Sequence, residues 1–202
     1  YSMFIAIFNI YANKYLQIER SQQIQEWLDF NIRSINKNGF WGNSAKIDYL
    51  QFQNGYHQYE IFEHLKIKEV PWNKAARNTL LMGDEYGHFA PYPGGGGCYD
   101  YDATFILTSE FVDDIGQKNI LKKTINSILN DQNSDGGFCE SKHLKYYKFP
   151  NIKNIINHVI SQPNHIRFWS IIMNLNFSRY KHRNIYSYWA QPYRYWNESN
   201  SW

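Results

Sequence analysis

Between Cys98 and Asp102 the chain sets a thiol, two carboxylates and two phenols in five consecutive residues, Cys98-Tyr99-Asp100-Tyr101-Asp102. Carboxylates this close are suited to acid–base work, because like charges at one site can share a proton. An acid that must protonate a weak base such as an alkene needs burial or a neighbouring negative charge to stay protonated. A helix N-terminus acts the other way and favours the carboxylate. Residues two apart on a helix diverge, but in or just before a first turn both can face one mouth. On this reading Asp102 is the acid and Asp100 its support. The structural alternative makes Asp100 an N-cap and Asp102 a first-turn charge.

Other residues can be drawn to the same place. Cys98, His57 and an Asp would supply three zinc ligands with a fourth position open, as a catalytic zinc requires; against this, a cysteine beside a glycine loop is also an ordinary small apolar residue. His88, in Tyr86-Gly87-His88-Phe89-Ala90, lies on the preceding loop and could contact substrate. Arg167 and Trp169 open a later helical stretch, where an arginine could clamp a phosphate or carboxylate or pair with Asp100 or Asp102. Tyr56, Tyr59, Tyr99 and Tyr101 are candidate pocket walls. The run Gly94–Gly97 matches neither a dinucleotide nor a Walker-type phosphate loop.

Composition bounds what these groups serve. Trp (7), Tyr (17) and Phe (13) make up 18% of the 202 residues, enough to fill a bulky core and still line a pocket for sugar rings or for cationic species. Lys and Arg (21) nearly balance Asp and Glu (18) and are dispersed, which argues against nucleic acid as partner. Two cysteines, Cys98 and Cys139, are too few for a disulfide scaffold and read as cytoplasmic thiols. The apolar stretch 3–10 is shorter than a membrane span and lacks the features of a signal peptide. Both chain ends read as cut, so further hairpins or a partner subunit are expected.

The elements that must position the chemistry are helices in one domain over 1–202. Periodicity predicts them over 3–16 (buried), 21–36 with Ser21 as N-cap, 55–66, 73–82, 99–112, 118–130, 152–160 and 166–175, before an irregular aromatic tail, 179–202. More polar helices alternate with more aromatic ones across long Gly- or Pro-containing loops, and no strand-period segment intervenes. This predicts an all-α array of helical hairpins, open or closed into a ring.

Gln132-x3-Gly136-x-Phe138 resembles the QW-type motif of the terpenoid cyclase and protein prenyltransferase superfamily, and Asn36-x2-Gly39-x-Trp41 resembles a degenerate copy. Cys98 to Thr104 is similar to the Asp-x-Asp-Asp-Thr-Ala acid motif of squalene-type cyclases, with Ala103 in place of the third Asp. It also resembles the Gly-Cys-Tyr segment that carries the zinc cysteine of prenyltransferase β subunits, although Gly96 replaces that family's Asp. Gly55 to Tyr59 resembles the segment supplying its zinc histidine, though His57 here precedes Cys98. The resemblance implies an α/α toroid with an aromatic-lined cavity, an isoprenoid or similar apolar substrate, catalysis by Asp102 and Asp100, and substrate contacts from His57, Tyr59, Tyr101, His88, Arg167 and Trp169. Zinc on Cys98 and His57 is the variant it allows. The alternatives are an α/α-toroid lyase or hydrolase acting on a glycan, and a non-catalytic binding or scaffold module.

Overall fold

The computed structural model describes residues 2–42, 47, 49–84, 86–90, 97–130, 132, 136, 156 and 160. Among them the secondary structure is helical and contains no strand: α1 (Ser2–Tyr15), α2 (Ser21–Arg33), α3 (Tyr49–His64), α4 (Trp72–Leu80), α5 (Gly97–Thr108) and α6 (Lys118–Asn130). No helix among the described residues is long and apolar enough to cross a membrane. Of the helices expected over 152–160 and 166–175, only Ile156 and Ile160 are described, both helical; the rest, with the tail 179–202, lies outside the described residues. Contacts divide the chain into two compact units, one of residues 1–79 and 105–115, the other of residues 80–104 and 116–202.

The first unit is an aromatic core. Trp27 of α2, Phe52, Tyr59 and Phe62 of α3, Trp72 of α4 and the loop residue Phe40 are all buried. Their rings meet edge-on or tilted, as between Tyr59 and Trp72 (4.8 Å) and between Trp27 and Phe62 (5.8 Å), the geometry that aromatic quadrupoles favour. Helix α1 packs on α2 and α3, and the Trp27 indole N–H donates to the Ser2 carbonyl at 2.8 Å. The expected burial of α1 is not found. Of its side chains only Ala6 is buried, while Phe4, Ile5, Phe8, Tyr11 and Tyr15 are each more than half exposed. An apolar composition all round a helix states that it has apolar faces, not that each face has a neighbour.

Helix ends also moved. Ser21 is the first residue of α2 and not its cap; Arg20 holds the cap position without a side-chain bond. The Ser21 N–H donates to Glu19 at 2.7 Å, and hydrogen bonds from the Ser21 side chain and then its backbone hold the Glu19 carboxyl below its ordinary value. Helix α3 begins six residues before the expected Gly55, and α5 begins at Gly97, inside the glycine run, and stops at Thr108.

Two loops share one design. In 36–42, Asn36 N–H donates to Phe40 O (2.7 Å), Gly39 N–H donates to Asn36 O (3.0 Å), and Asn36 Oδ1 accepts from the N–H groups of Asn38 (2.8 Å) and Phe40 (3.2 Å). In 84–90, Asp84 N–H donates to His88 O (2.8 Å), Gly87 N–H donates to Asp84 O (3.2 Å), and Asp84 Oδ1 accepts from Tyr86 and His88 N–H, each at 2.9 Å. Asn36 and Asp84, Gly39 and Gly87, and Trp41 and Phe89 are each 48 residues apart. Gly39 and Gly87 adopt φ of +85° and +87°, a region that disfavours side chains. A Cβ on Gly39 would meet the Ala75 backbone nitrogen of α4 at 2.9 Å, and one on Gly87 the Thr124 nitrogen of α6 at 2.6 Å. Each loop is also fastened by the second helix after it, α4 and α6 respectively: Asn78 donates to Asn38 O at 2.7 Å, and Ser127 to Tyr86 O at 2.8 Å. A third glycine, Gly136, has φ +81° and accepts from the Gln132 side chain at 2.9 Å; Phe138 lies outside the described residues. The same loop design thus recurs between helices in each of the two units.

Candidate acid–base site

The second unit gathers four buried polar side chains onto loop 84–90 and the start of α5. Asp84 and His88 are 5% exposed, Asp100 3% and Asp102 2%. Burial at this level is uncommon for charged residues unless they are partnered. Asp84 is spent on the loop, where its Oδ1 terminates the Tyr86 and His88 N–H groups. It thereby sets the backbone that carries His88.

Asp100 sits in the first turn of α5 but does not cap it. Its side chain reaches back to the loop: Oδ1 accepts the Phe89 N–H at 2.8 Å, and Oδ2 lies 2.9 Å from His88 Nδ1. Both oxygens are thus engaged by the loop, and the N-terminal end of α5 adds favourable positive potential. With Nδ1 donating to Asp100, Nε2 is the basic nitrogen of a neutral His88 ring. Asp100 therefore orients an imidazole, which is how a carboxylate commonly equips a histidine for proton transfer.

Asp102 falls past the first turn of α5. With roughly 100° per residue, it leaves the axis about 200° from Asp100. The expectation that both carboxylates face one mouth from a first turn is therefore not met, because α5 starts early enough to make both fully helical. They are two buried carboxyls on different sides of one helix.

The other predicted site residues are scattered. Tyr101 is 53% exposed and Cys98 exposed. Tyr59 is fully buried, and its hydroxyl donates to the Gly39 carbonyl at 2.6 Å, so it braces the first loop and walls no pocket. His57 lies on α3 in the first unit, part-exposed, its Nδ1 3.2 Å from Glu60 and its ring 4.1 Å from that of Tyr56. Cys98 belongs to the second unit. Among the described residues no group of three or more His, Cys, Asp and Glu side chains is placed to hold a metal ion. Arg167 and Trp169 lie outside the described residues. Sequence reasoning missed Asp84. Its signal was available in Asp84-x2-Gly87-x-Phe89, midway between the two QW-like segments.

No protein-family model, curated protein or solved structure matches the chain.

Proposed function

We propose that this is an α/α-toroid protein of the terpenoid-cyclase and protein-prenyltransferase kind, carrying out acid–base chemistry on an isoprenoid or similarly apolar substrate. The observation that carries the reading is the pair of buried carboxyls on one turn of α5, Asp100 and Asp102, in the segment that resembles the cyclase acid motif. Asp100 is engaged with loop 84–90, through the Phe89 N–H and the His88 ring. Asp102, buried on another side of the helix, is the proton donor in this reading, shielded from water as an alkene-protonating acid must be. The repeated loop design supports the toroid, and Tyr101, Arg167 and Trp169 serve as substrate contacts in this reading. The substrate class comes from the resemblance alone.

The test is turnover of squalene and farnesyl diphosphate, followed by mass spectrometry of the products, for the full chain and for Asp102→Asn. The variant is expected to keep its helical circular dichroism and lose activity by on the order of 10²–10⁴. Equal turnover by the variant, or none by the unaltered chain, overturns the proposal.

A second reading is favoured by the His88–Asp100 contact. An imidazole held by a carboxylate suits proton abstraction from a sugar as much as work on an alkene, which fits an α/α-toroid lyase or hydrolase. Binding on a glycan array, with no affinity for prenyl compounds, would select it.

A further inference from the structure

Helix α1 is inside out relative to an ordinary surface helix, which points its apolar stripe at the core. Its inward side holds small and polar residues. Ala6 is buried there, the Ser2 carbonyl and hydroxyl accept the Trp27 N–H at 2.8 and 2.9 Å, and Asn13 Oδ1 accepts the Arg20 N–H at 3.1 Å. Its aromatic residues face out. Phe4, Phe8, Tyr11 and Tyr15 follow one another at spacings of four, three and four, which makes one stripe along the helix. All four are more than half exposed, as are Ile5 and Leu16 on its flank. The rings are already ordered along the stripe, Phe4 on Phe8 with centroids 6.4 Å apart and Tyr11 on Tyr15 at 5.2 Å.

Helix α3 carries the same stripe 48 residues on, with Phe52, Tyr56 and Tyr59 in the places of Phe4, Phe8 and Tyr11. There it is buried beneath aromatic rings: Phe40 meets Phe52 at 6.3 Å and Tyr59 at 5.8 Å, and Trp41 meets Tyr59 at 5.8 Å. The fold thus covers the stripe with rings in one helix and leaves it open in the other. With Ile7 and Ile18 added, the open side chains of α1 and its C-terminal flank offer roughly 800 Å², taking about 200 Å² for each when fully covered. That exceeds the few hundred Å² of apolar patch a monomer usually shows and equals one partner's share of a standard interface. The stripe is also its own complement. A four–three–four spacing reads the same in both directions, so two copies laid antiparallel set Phe8 against Tyr11 and Phe4 against Tyr15. Between Ser2 and Tyr15 the only charged side chain is Lys14, which lies over the Tyr15 ring at 5.3 Å. Antiparallel pairing puts the two Lys14 side chains toward opposite ends, so no like charges meet. We propose that α1 is a dimerisation helix, packed antiparallel against α1 of a second copy of this chain through Phe4, Phe8, Tyr11 and Tyr15. Neither Asp100 nor Asp102 takes part, so dimerisation and the acid–base reading stand or fall separately.

Sedimentation equilibrium of the full chain, from about 1 to 100 μM, is expected to show a monomer–dimer equilibrium. Phe8→Ser should weaken it on the order of a hundredfold, because each dimer loses two central rings. The variant should keep its helical circular dichroism and, at dissociating dilution, its denaturation midpoint, since Phe8 is exposed in its own chain. Phe8→Glu and Tyr11→Lys chains should each be monomeric and should dimerise when mixed, because antiparallel pairing sets position 8 of one copy against position 11 of the other. A parent that stays monomeric, a dimer indifferent to Phe8→Ser, or a mixture that fails to associate overturns the pairing. So does a monomeric Phe8→Ser variant with a lowered midpoint, which would mean that the chain covers the stripe itself. Vesicles of phosphatidylcholine and phosphatidylserine test the remaining occupant. A parent that is monomeric in solution and sediments with them, while Phe8→Ser does not, assigns the stripe to a lipid surface and overturns the second copy.

Discussion

Asn36 shows how much one side chain can hold. Besides accepting from Asn38 and Phe40, its amide donates to Gly42 O and Gln51 Oε1, each at 3.1 Å. Asn36→Ala removes all four bonds and is expected to cost several kcal/mol, at about 1 kcal/mol for each bond, read by urea denaturation. Gly39→Ala is expected to be comparably harmful, because strain at φ +85° adds to the approach of Ala75. Tyr59 gives a pH signature. Burial pushes its phenol above the ordinary value. A raised pKa means the contribution is intact below the unfolded value, about 10, and is lost as pH rises beyond it. Tyr59→Phe should cost about 1 kcal/mol at neutral pH through the orphaned Gly39 carbonyl, and should flatten the loss of stability above about pH 10. A denaturation series from pH 7 to 11 checks both effects. His88 and Asp100 were both named from sequence, but as separate contributors. That they bond to each other depends on a loop doubling back onto α5, and no local pattern encodes it.

Among the elements, α1 and α3 look alike on paper and differ in the fold. Both carry aromatic residues on several faces. The Phe62 ring of α3 is fully buried, whereas Phe8 of α1 is 69% exposed. Phe62→Ala should therefore cost about 3–5 kcal/mol, and Phe8→Ser less than about 0.5 kcal/mol, in the same denaturation assay. Equal losses would mean that α1 has a covering neighbour. Helix positions were legible because apolar residues recur at helical spacing, as in α6 with Ile120, Leu121, Ile125 and Ile128. Their ends were not. A glycine such as Gly97 reads as a breaker but is tolerated in the first turn of a helix, where few backbone bonds are at stake. The loops 36–42 and 84–90 were half legible: the glycines and aromatic residues repeat visibly, but Asn36 and Asp84 are interchangeable only because each loop uses a single side-chain oxygen as its hub.

Among the described residues taken together, surface charge does little of the holding. Formal net charge is +3. The Lys66–Glu110 pair ties the end of α3 to the segment after α5, both in the first unit, with both side chains more than half exposed. The hydrogen bond from Lys66 holds the Glu110 carboxyl below its ordinary value. A lowered carboxyl contributes above its unfolded pKa and loses that contribution as pH falls. In water-exposed geometry the effect is slight, so Glu110→Gln should leave the denaturation midpoint unchanged near neutral pH and in high salt. The sequence by itself determined a helical chain, an aromatic core and a cluster of carboxyls at the head of α5, because periodicity and residue type are local properties. Only the tertiary structure decided that α1 lies exposed, that Tyr59 is a brace, and that Asp100 belongs to His88 while Asp102 faces elsewhere. Those outcomes depend on which surfaces meet across dozens of residues, where burial and hydrogen-bond geometry, not composition, set the energy.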